Sequence, residues 1–419
     1  MRKRKGIFIN IDRLSVLLYF TLVFIGWINI YAAVFNEEHQ NIFDFSQNYG
    51  KQLIWIISSV ILALIILMID IKFFSSFSYI IYLLSMFSLV VVLMLGKEIA
   101  GSKSWFQIGS FALQPAEFAK FATCLAIAKY LSVIDRKMQT LKTKVFAFLI
   151  LLLPAGLILL QNDTGSALVY FSFILVLYRE GLSGSFLIFG GIIAVLFLLT
   201  LWLGILYAIG IVLAICLFLL LLIKRKRNNI FTLIVVFLIA GGFILSVDYT
   251  FENILEKHQK TRINVLIGKE TDIRGAGYNV HQSKIAIGSG GLTGKGFLKG
   301  TQTKYNFVPE QSTDFIFCTI GEEWGFAGSS LVVALFSALL IRLIIMAERQ
   351  KSKFSRIYGY GVCSILFFHF IINIGMTIGI APVIGIPLPF ISYGGSSLWA
   401  FTILLFIFIR QDASRGELL

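Results

Sequence analysis

The amino-acid sequence predicts an all-α, polytopic membrane protein whose residues 1–419 form a single membrane domain. Three observations indicate this fold class. The chain is 58% hydrophobic and only 14% charged, it contains six prolines in 419 residues, and it carries many apolar runs close to membrane-spanning length. Together they describe a helical protein that crosses a bilayer repeatedly.

About twelve membrane spans are predicted. The first apolar run follows the basic residues 1–5 and shows no small-x-small cleavage site, so we expect it to stay in the protein as an anchor. The spans are predicted at residues 14–34, 52–70, 76–96, 116–133, 145–160, 166–180, 184–203, 205–223, 230–248, 315–346, 357–380 and 394–410.

Basic residues in the short loops predict the orientation of these spans. If the N-terminus lies inside the cell, all the short basic loops lie inside with it, and so does the C-terminus. These loops contain Arg136, Lys137, Lys142 and Lys144, then Lys224–Arg227, then Arg349, Lys351, Lys353 and Arg356. The net charge of +14 is therefore mainly an orientation signal, and we expect no nucleic-acid partner.

The same threading places residues 35–51, 97–115, 249–314 and 381–393 outside the cell. Residues 249–314 form a large outer loop, and long loops are exempt from the charge rule. The cations of this loop are therefore free to serve a function. They are Lys257, Lys260, Arg262, Lys269, Arg274, Lys284, Lys295, Lys299 and Lys304.

Cysteine and histidine usage argues against two other kinds of site. The four cysteines lie within or at the edge of apolar runs, which is typical of packing residues, and we expect no disulfide framework. The four histidines are scattered and show no metal-ligand spacing. A zinc site built by the protein therefore has little support.

A glycine-rich stretch at residues 287–303, with the sequence IGSGGLTGKGFLKGTQT, raises the question of a nucleotide loop. It fails the Walker pattern twice, because Ser289 stands where the first glycine is needed and Gly296 stands where a hydroxyl should follow Lys295. The predicted topology also places this stretch outside the cell, away from ATP.

The loop before the fourth predicted span, with the sequence KEIAGSKSWFQIGSFALQPAEFAK, offers two candidate sites. Trp105 can stack on a sugar ring, although tryptophans at a membrane interface are more often anchors. Glu117 and Lys120 lie at i and i+3 on one face of an apolar helix. Ionisable groups are costly at that depth, so the pair is either functional or a structural ion pair, and both interpretations stay open.

Asp272 is the candidate catalytic residue of the outer loop. It lies just ahead of residues 275–277, where glycines let the backbone approach a ligand closely, and among the cations Arg262, Lys269 and Arg274. A carboxylate flanked by cations stays ionised and can act as a general base, while the cations stabilise a leaving phosphate. An ordinary solvated loop of mixed charge is the alternative.

Other acids lie close to the predicted outer surface. Asp163 is expected to cap the helix that follows it. Glu322 and Glu323 are predicted about two turns inside the next span, where acids need partners, and Lys120 or cations of the outer loop are candidates. Further on, the three prolines around Pro387 predict an irregular backbone that lines a cavity.

These stretches resemble the SEDS family of bacterial cell-wall proteins. The resemblance covers nearly the whole chain in order and is carried by GAGYNVHQSKIAIGSGGLTGKGFLKGTQTKYNFVPEQSTDFIFCTIGEEWGFAG, GSKSWFQIGSFALQPAEFAK, NDTGSAL and PLPFISYGGSS. GTQT followed by FVPEQSTDFIF is more similar to the elongation branch of the family than to the division branch. The family core has ten spans, so the predicted spans 205–223 and 230–248 are an extra pair, and an even insertion keeps the outer loop on its side.

The resemblance implies a peptidoglycan glycosyltransferase that polymerises lipid II on the outer face of the bacterial cytoplasmic membrane during cell elongation. Residues 249–314 would be its catalytic loop and Asp272 its catalytic residue. Trp105, Glu117, Lys120 and Arg262 also match positions of the family's motifs, and Arg274, Lys295 and Lys299 are candidate counter-charges for a lipid-linked pyrophosphate. The predicted substrate-binding residues are therefore Trp105, Glu117, Lys120, Arg262, Arg274, Lys295 and Lys299.

The resemblance also implies partners. They are lipid II, the undecaprenyl-pyrophosphate-linked glycan, a class B penicillin-binding transpeptidase, other proteins of the elongation complex and membrane lipids. We expect no tightly bound cofactor, although a divalent cation, magnesium or manganese, is compatible with the reaction.

Two other functions stay open at this point. One is a lipid II flippase, which buried charges and a broken helix near Pro387 would suit. The other is a non-enzymatic scaffold for the transpeptidase. The sequence favours the enzyme, because the polar residues concentrate in an outer loop and no inverted repeat is evident.

Overall fold

The computed structural model describes residues 10–35, 41–99, 101–109, 111–133, 138, 140–222, 227–253, 260–261, 264, 276–305 and 307–415. The chain forms two compact units, and each is described by itself. The first comprises residues 1–182 and 279–419, and the second comprises residues 183–278.

The first unit is a bundle of helices with a small sheet at one end. Its elements are α1 (Arg13–Val34), α2 (Asn48–Met68), α3 (Ile71–Leu95), β1 (Lys97–Ile99), β2 (Ser102–Ile108), β3 (Phe111–Leu113), α4 (Pro115–Ser132), α5 (Leu141–Leu159), α6 (Thr164–Leu168) and α7 (Phe173–Arg179). After α11 (Ala276–Ser289), which begins within the second unit, come α12 (Thr301–Lys304), α13 (Ile316–Glu348), α14 (Lys353–Thr377) and α15 (Gly395–Ala413).

The second unit contains three long apolar helices, α8 (Gly184–Leu203), α9 (Ile205–Leu222) and α10 (Arg227–Asn253). Helices α9 and α10 correspond to the extra pair of predicted spans. A small core of Ala208, Val212, Cys216 and Ile244 joins them.

The all-α membrane fold is confirmed, but the count of twelve spans is not. Ten helices among the described residues are long and apolar enough to cross a membrane. The two remaining predicted spans differ from these ten for physical reasons. Helix α4 carries the charges of Glu117, Lys120 and Lys129, and the segment Thr164–Arg179 is short and is interrupted by a 3-10 turn.

Side-chain caps explain where several helices begin. Asp12, Asp70 and Thr140 each accept a hydrogen bond from a backbone N–H in the first turn of α1, α3 and α5 respectively. Helix α4 instead begins with Pro115, whose missing N–H costs nothing in a first turn. These local signals fix helix ends but do not determine how the helices pack.

Packing in the first unit is dominated by aromatic side chains. The rings of Phe336 on α13 and Phe370 on α14 stack with centroids 4.5 Å apart. Tyr19 on α1 is 1% exposed, and its hydroxyl lies 3.0 Å from the hydroxyl of Thr402 on α15. All four cysteines of the chain are free and buried, as the sequence predicts.

A network of charges joins the start of α1 to the ends of α13 and α15. Asp12 is bound by Arg342 and lies 3.5 Å from Arg349, and Arg349 also binds the fully buried Asp412. Burial tends to raise the pKa of Asp12, but hydrogen bonds from Arg342 and Ser15 outweigh it and hold the pKa at about 2. The N-terminus of α1 and the C-terminus of α15 therefore lie at the same end of the bundle.

We predict that Asp412→Ala destabilises the protein. Asp412 accepts hydrogen bonds from Arg349 at 2.8 Å, Gln350 at 2.8 Å and Arg415 at 3.0 Å, and the substitution would remove all three of these bonds. Because Arg349 is 29% exposed, we expect a loss of about 2–3 kcal/mol, below the cost of breaking a fully buried pair. Thermal unfolding in detergent measures this loss.

The matched control is Arg179→Ala. This substitution breaks the ion pair between Arg179 and Glu348, whose side chains are 48% and 51% exposed. We therefore expect the free energy of unfolding to change by only about 0–1 kcal/mol. Equal melting temperatures for the two variants would contradict the importance of the buried network.

Candidate active site

The described residues contain part of the predicted site. Asp272, Arg262 and Arg274 lie outside the described residues, so the catalytic prediction for Asp272 is untested. Trp105, Glu117, Lys120, Lys295 and Lys299 are all described, and all belong to the first unit. The described part of the candidate site therefore lies in the first unit.

The glycine-rich segment folds around Glu322 on α13. We call residues 290–304 the glycine clasp. The Glu322 carboxylate is completely buried, and it accepts a hydrogen bond from the ammonium of Lys295 at 2.7 Å. It also accepts hydrogen bonds from the backbone N–H groups of Thr301, Gln302 and Thr303, at 2.8, 2.9 and 3.0 Å. The hydroxyls of both threonines donate to it as well. Of the two kinds of partner that the sequence suggests for this acid, the cation of the outer loop is the correct one.

The backbone of the clasp inserts into a break in α13. Gly325 has a φ of +64° inside this helix, a conformation that favours glycine. In an unbroken helix the N–H of Phe326 would donate to the carbonyl of Glu322. Instead, Phe326 donates to the carbonyl of Gly291 at 2.9 Å, and the carbonyl of Glu322 accepts from the N–H of Lys295 at 3.0 Å.

The next pair along the helix is exchanged in the same way. Ala327 donates to Leu292 at 3.0 Å, and Glu323 accepts from Gly296 at 3.0 Å. The clasp therefore satisfies two backbone donors and two acceptors that the break would otherwise leave open. Only glycine suits this approach at position 294, where φ is +82° and an added Cβ would collide with the carbonyl of Glu323.

The predicted charged pair of α4 forms a buried triad with a histidine. The ammonium of Lys120 lies 2.6 Å from the Glu117 carboxylate and 3.0 Å from His369 Nε2, and all three residues are at most 2% exposed. His369 Nδ1 lies 3.1 Å from the carbonyl oxygen of Pro387, which can only accept. Nδ1 therefore carries the proton, and Nε2 accepts from Lys120.

This triad joins α4 and α14 to the irregular segment before α15. Among the described residues, the second carboxylate oxygen of Glu117 has no hydrogen-bond partner. The arrangement fits a structural ion pair, since both charges are compensated. Whether Glu117 and Lys120 bind substrate stays a prediction.

Trp105 lies in the small antiparallel sheet rather than in an irregular loop. It is half-buried on β2, opposite Lys97 of β1. The Ser102 hydroxyl and the Lys103 N–H both donate to the carbonyl of Gln161, at 2.9 and 3.0 Å. These two contacts fix the backbone of β2 against the turn at Gln161, and whether Trp105 stacks on a sugar ring stays a prediction.

Asp163 caps α6, as the sequence predicts. Its carboxylate accepts the N–H of Ser166 at 2.9 Å and the amide of Gln114 at 2.7 Å. The capping turn includes Asn162 at a φ of +60°, a conformation that asparagine tolerates well. This turn therefore lies beside the start of α4.

The segment of residues 378–394 has the irregular backbone that its prolines predict. Asn373 donates to the carbonyls of Asp314 and Ile386, both at 2.8 Å, and Ser392 donates to Thr313 at 2.6 Å. Phe390 is held at a φ of +69° although it is bulky, which marks a strained position. The segment thus fastens the start of α13 to α14.

The structure changes the interpretation of the two lysines in the clasp. Lys295 is engaged by Glu322, so its charge is already compensated inside the protein. Lys299 is exposed. Sequence reasoning missed His369 and the role of Glu322 as the centre of the clasp. The signal for Glu322 was the neighbouring glycines, threonines and lysine, but its partners are 19 to 27 positions away in the chain.

Comparisons with known proteins identify relatives over most of the chain. The sequence profile of the FtsW, RodA and SpoVE family, described as "Cell cycle protein", matches residues 12–211 and 206–416. The peptidoglycan glycosyltransferase RodA of Treponema pallidum is 34% identical over 93% of this chain and 94% of its own. The peptidoglycan glycosyltransferase MrdB of Escherichia coli K12 is 35% identical over 76% and 72% of the two chains.

Solved structures have the same fold. One chain, from work titled "Structural coordination of polymerization and crosslinking by a peptidoglycan synthase complex", is 25% identical with a TM-score of 0.72, over 97% of this chain and 99% of that one. The rod shape determining protein RodA of Thermus thermophilus is 24% identical with a TM-score of 0.64, over 97% and 98% of the two chains, and supports the fold alone.

We predict that Gly294→Ala destabilises the clasp, whereas Gly288→Ala does not. An alanine at position 294 would adopt a left-handed conformation at a cost of about 1–2 kcal/mol and would also push against α13. Gly288 lies in helix α11 with no atom near its added Cβ, so alanine there should be neutral or mildly stabilising. Thermal unfolding of both variants measures the difference, and indistinguishable melting curves would contradict the proposed fit.

Proposed function

The chain belongs to the FtsW, RodA and SpoVE family, and we propose that it is a peptidoglycan glycosyltransferase of the cell-elongation type. One observation carries this proposal. The chain aligns along almost its whole length, at 34% identity, with a protein named peptidoglycan glycosyltransferase RodA. The described fold, with a polar end built by the clasp, the small sheet and the Asp163 turn, supports the same activity.

The proposed substrate is lipid II, which is polymerised into glycan on the outer face of the bacterial cytoplasmic membrane. The orientation rests on the basic loops, which would lie inside the cell together with both termini. Asp12, at the start of α1, and Asp412, near the end of α15, lie at the same end of the bundle. This supports the threading, which requires the start of the first long helix and the end of the last one to be on the same side of the membrane.

The proposed reaction is a displacement at the anomeric carbon. The growing glycan, held by undecaprenyl pyrophosphate, is the donor, and the GlcNAc 4-hydroxyl of incoming lipid II is the acceptor. Asp272 takes the hydroxyl proton as the new glycosidic bond forms, and the pyrophosphate leaves with its bonding electrons and with inversion. Arg262, Arg274 and Lys299 offset the charge that develops on the pyrophosphate.

A divalent cation, magnesium or manganese, is a further proposal. Across the described ranges, no group of three or more His, Cys, Asp or Glu side chains has the geometry to hold a metal ion. The described residues therefore provide no site of three or more such ligands, and the proposed proton transfer and charge compensation use side chains of the chain itself.

The proposed partner is a class B penicillin-binding transpeptidase, together with other elongation proteins. The support is the likeness to a chain of a peptidoglycan synthase complex that coordinates polymerisation and crosslinking. A transpeptidase would crosslink the strands that this protein polymerises.

We predict that Asp272→Ala abolishes polymerisation of labelled lipid II by purified protein, because the acceptor hydroxyl loses its base. General-base catalysis is typically worth about 10²–10⁴-fold in rate. The matched control is Glu270→Ala, which removes an acid two positions away and should polymerise at the parent rate. Gel analysis of the glycan products measures both.

Other outcomes would identify the alternative functions. Parent-level polymerisation by Asp272→Ala would contradict the assignment of the base. Transbilayer movement of lipid II in liposomes without polymerisation would instead identify a flippase. An effect of Asp272→Ala on transpeptidase binding alone, with no polymerisation by the parent, would identify a scaffold.

A further inference from the structure

Six hydrogen bonds converge on the carboxylate of Glu322. Three come from backbone N–H groups, two from threonine hydroxyls and one from the ammonium of Lys295. All lie between 2.7 and 3.2 Å, and the side chain is inaccessible to solvent. A buried carboxylate with this many donors is a fixed anchor, because losing it would leave several polar groups unsatisfied together.

Lys299 lies between two anchored points of the clasp. On one side, the Gly296 N–H is bound to the carbonyl of Glu323, and the Lys299 N–H donates back to Gly296 at 3.1 Å. On the other side, the Thr301 N–H is bound to the Glu322 carboxylate at 2.8 Å. The backbone of Lys299 is therefore fixed on both sides while its side chain is exposed.

The charges of the clasp have different environments. Lys295 forms an ion pair with Glu322, so the two residues together present no net charge to a ligand. The Lys299 side chain is exposed, on a turn that lies between the Gly296 contact with Glu323 and the Thr301 contact with Glu322. An exposed cation on a rigid turn is suited to meet an anionic group at low entropic cost.

We propose that Glu322 is a positioning residue that acts through Lys299. It holds the glycine clasp against α13 and thereby presents the Lys299 ammonium to the pyrophosphate of the lipid-linked substrate. The inference rests on the proposed function for its substrate, but the anchoring by Glu322 does not depend on that function.

Limited trypsin digestion tests the anchoring directly. Trypsin cleaves after Lys295, Lys299 and Lys304 only when the clasp leaves its binding site. Glu322→Gln keeps the size of the side chain but replaces one accepting oxygen with a donor, which faces other donors. We expect faster cleavage at these lysines and unchanged cleavage at Lys351 and Lys353, which lie between the far end of α13 and the first residue of α14.

The matched control is Glu310→Gln. Glu310 is an exposed acid on the same stretch of chain, and its side chain accepts only the Thr313 hydroxyl among the described contacts. Cleavage of this variant should equal that of the parent. If Glu322→Gln proves too unstable to purify, Lys295→Met removes the charged donor and leaves the five other hydrogen bonds, so we expect an intermediate cleavage rate at Lys299 and Lys304.

Polymerisation kinetics test the action through Lys299. We expect Glu322→Gln and Lys299→Ala each to raise KM for lipid II by about tenfold, which is the size of one lost charge-assisted contact, with a smaller change in kcat. The double variant should resemble Lys299→Ala alone, because a cation that is absent cannot be mispositioned. A merely structural Glu322 would instead lower the active fraction and add its effect to that of Lys299→Ala.

Each outcome decides one part of the proposal. Unchanged trypsin cleavage of Glu322→Gln would overturn the anchoring. Faster cleavage with an unchanged KM, or additive effects in the double variant, would overturn the action through Lys299. If the parent protein does not polymerise lipid II at all, the proposed function fails, while the digestion still decides whether Glu322 anchors the clasp.

Discussion

The break in α13 at Gly325 is the constraint on which the described polar end depends. A helix broken inside an apolar bundle exposes backbone donors and acceptors that water cannot reach. The glycine clasp supplies partners for four of them, and the Glu322 carboxylate holds the clasp in place. Two glycines of this segment follow from that geometry, since side chains at positions 290 and 294 would collide with the carbonyls of α13.

Other polar contacts also join helices of the bundle to irregular backbone. The triad of Lys120, Glu117 and His369 ties α4 and α14 to the segment that precedes α15, and Asn373 ties that segment to the start of α13. At the opposite end of the bundle, the helices are joined by the network of arginines and aspartates around Asp412. Among the described residues of the first unit, the glycine clasp and the irregular segment of residues 378–394 thus lie at the end opposite this network.

Periodicity and hydropathy predicted the helices well, because an apolar run of membrane length has few other structures available. The capping role of Asp163 was also predictable from its neighbours. The glycine clasp was not predictable, because its central contact joins Lys295 and Glu322, which are 27 positions apart in the chain. The glycine-rich sequence suggested a bound phosphate, and nothing in it indicated that the carboxylate of Glu322 takes that place. His369 was missed for a similar reason, since 249 positions separate it from Lys120.

Hydrogen exchange of the intact protein in lipid nanodiscs tests the clasp most directly. Amides that donate to a buried carboxylate exchange only when the structure opens locally. We expect the backbone N–H groups of Thr301, Gln302 and Thr303 to exchange as slowly as the hydrogen-bonded amides inside α13. Exchange of these three amides at the rate of a free peptide would contradict this expectation.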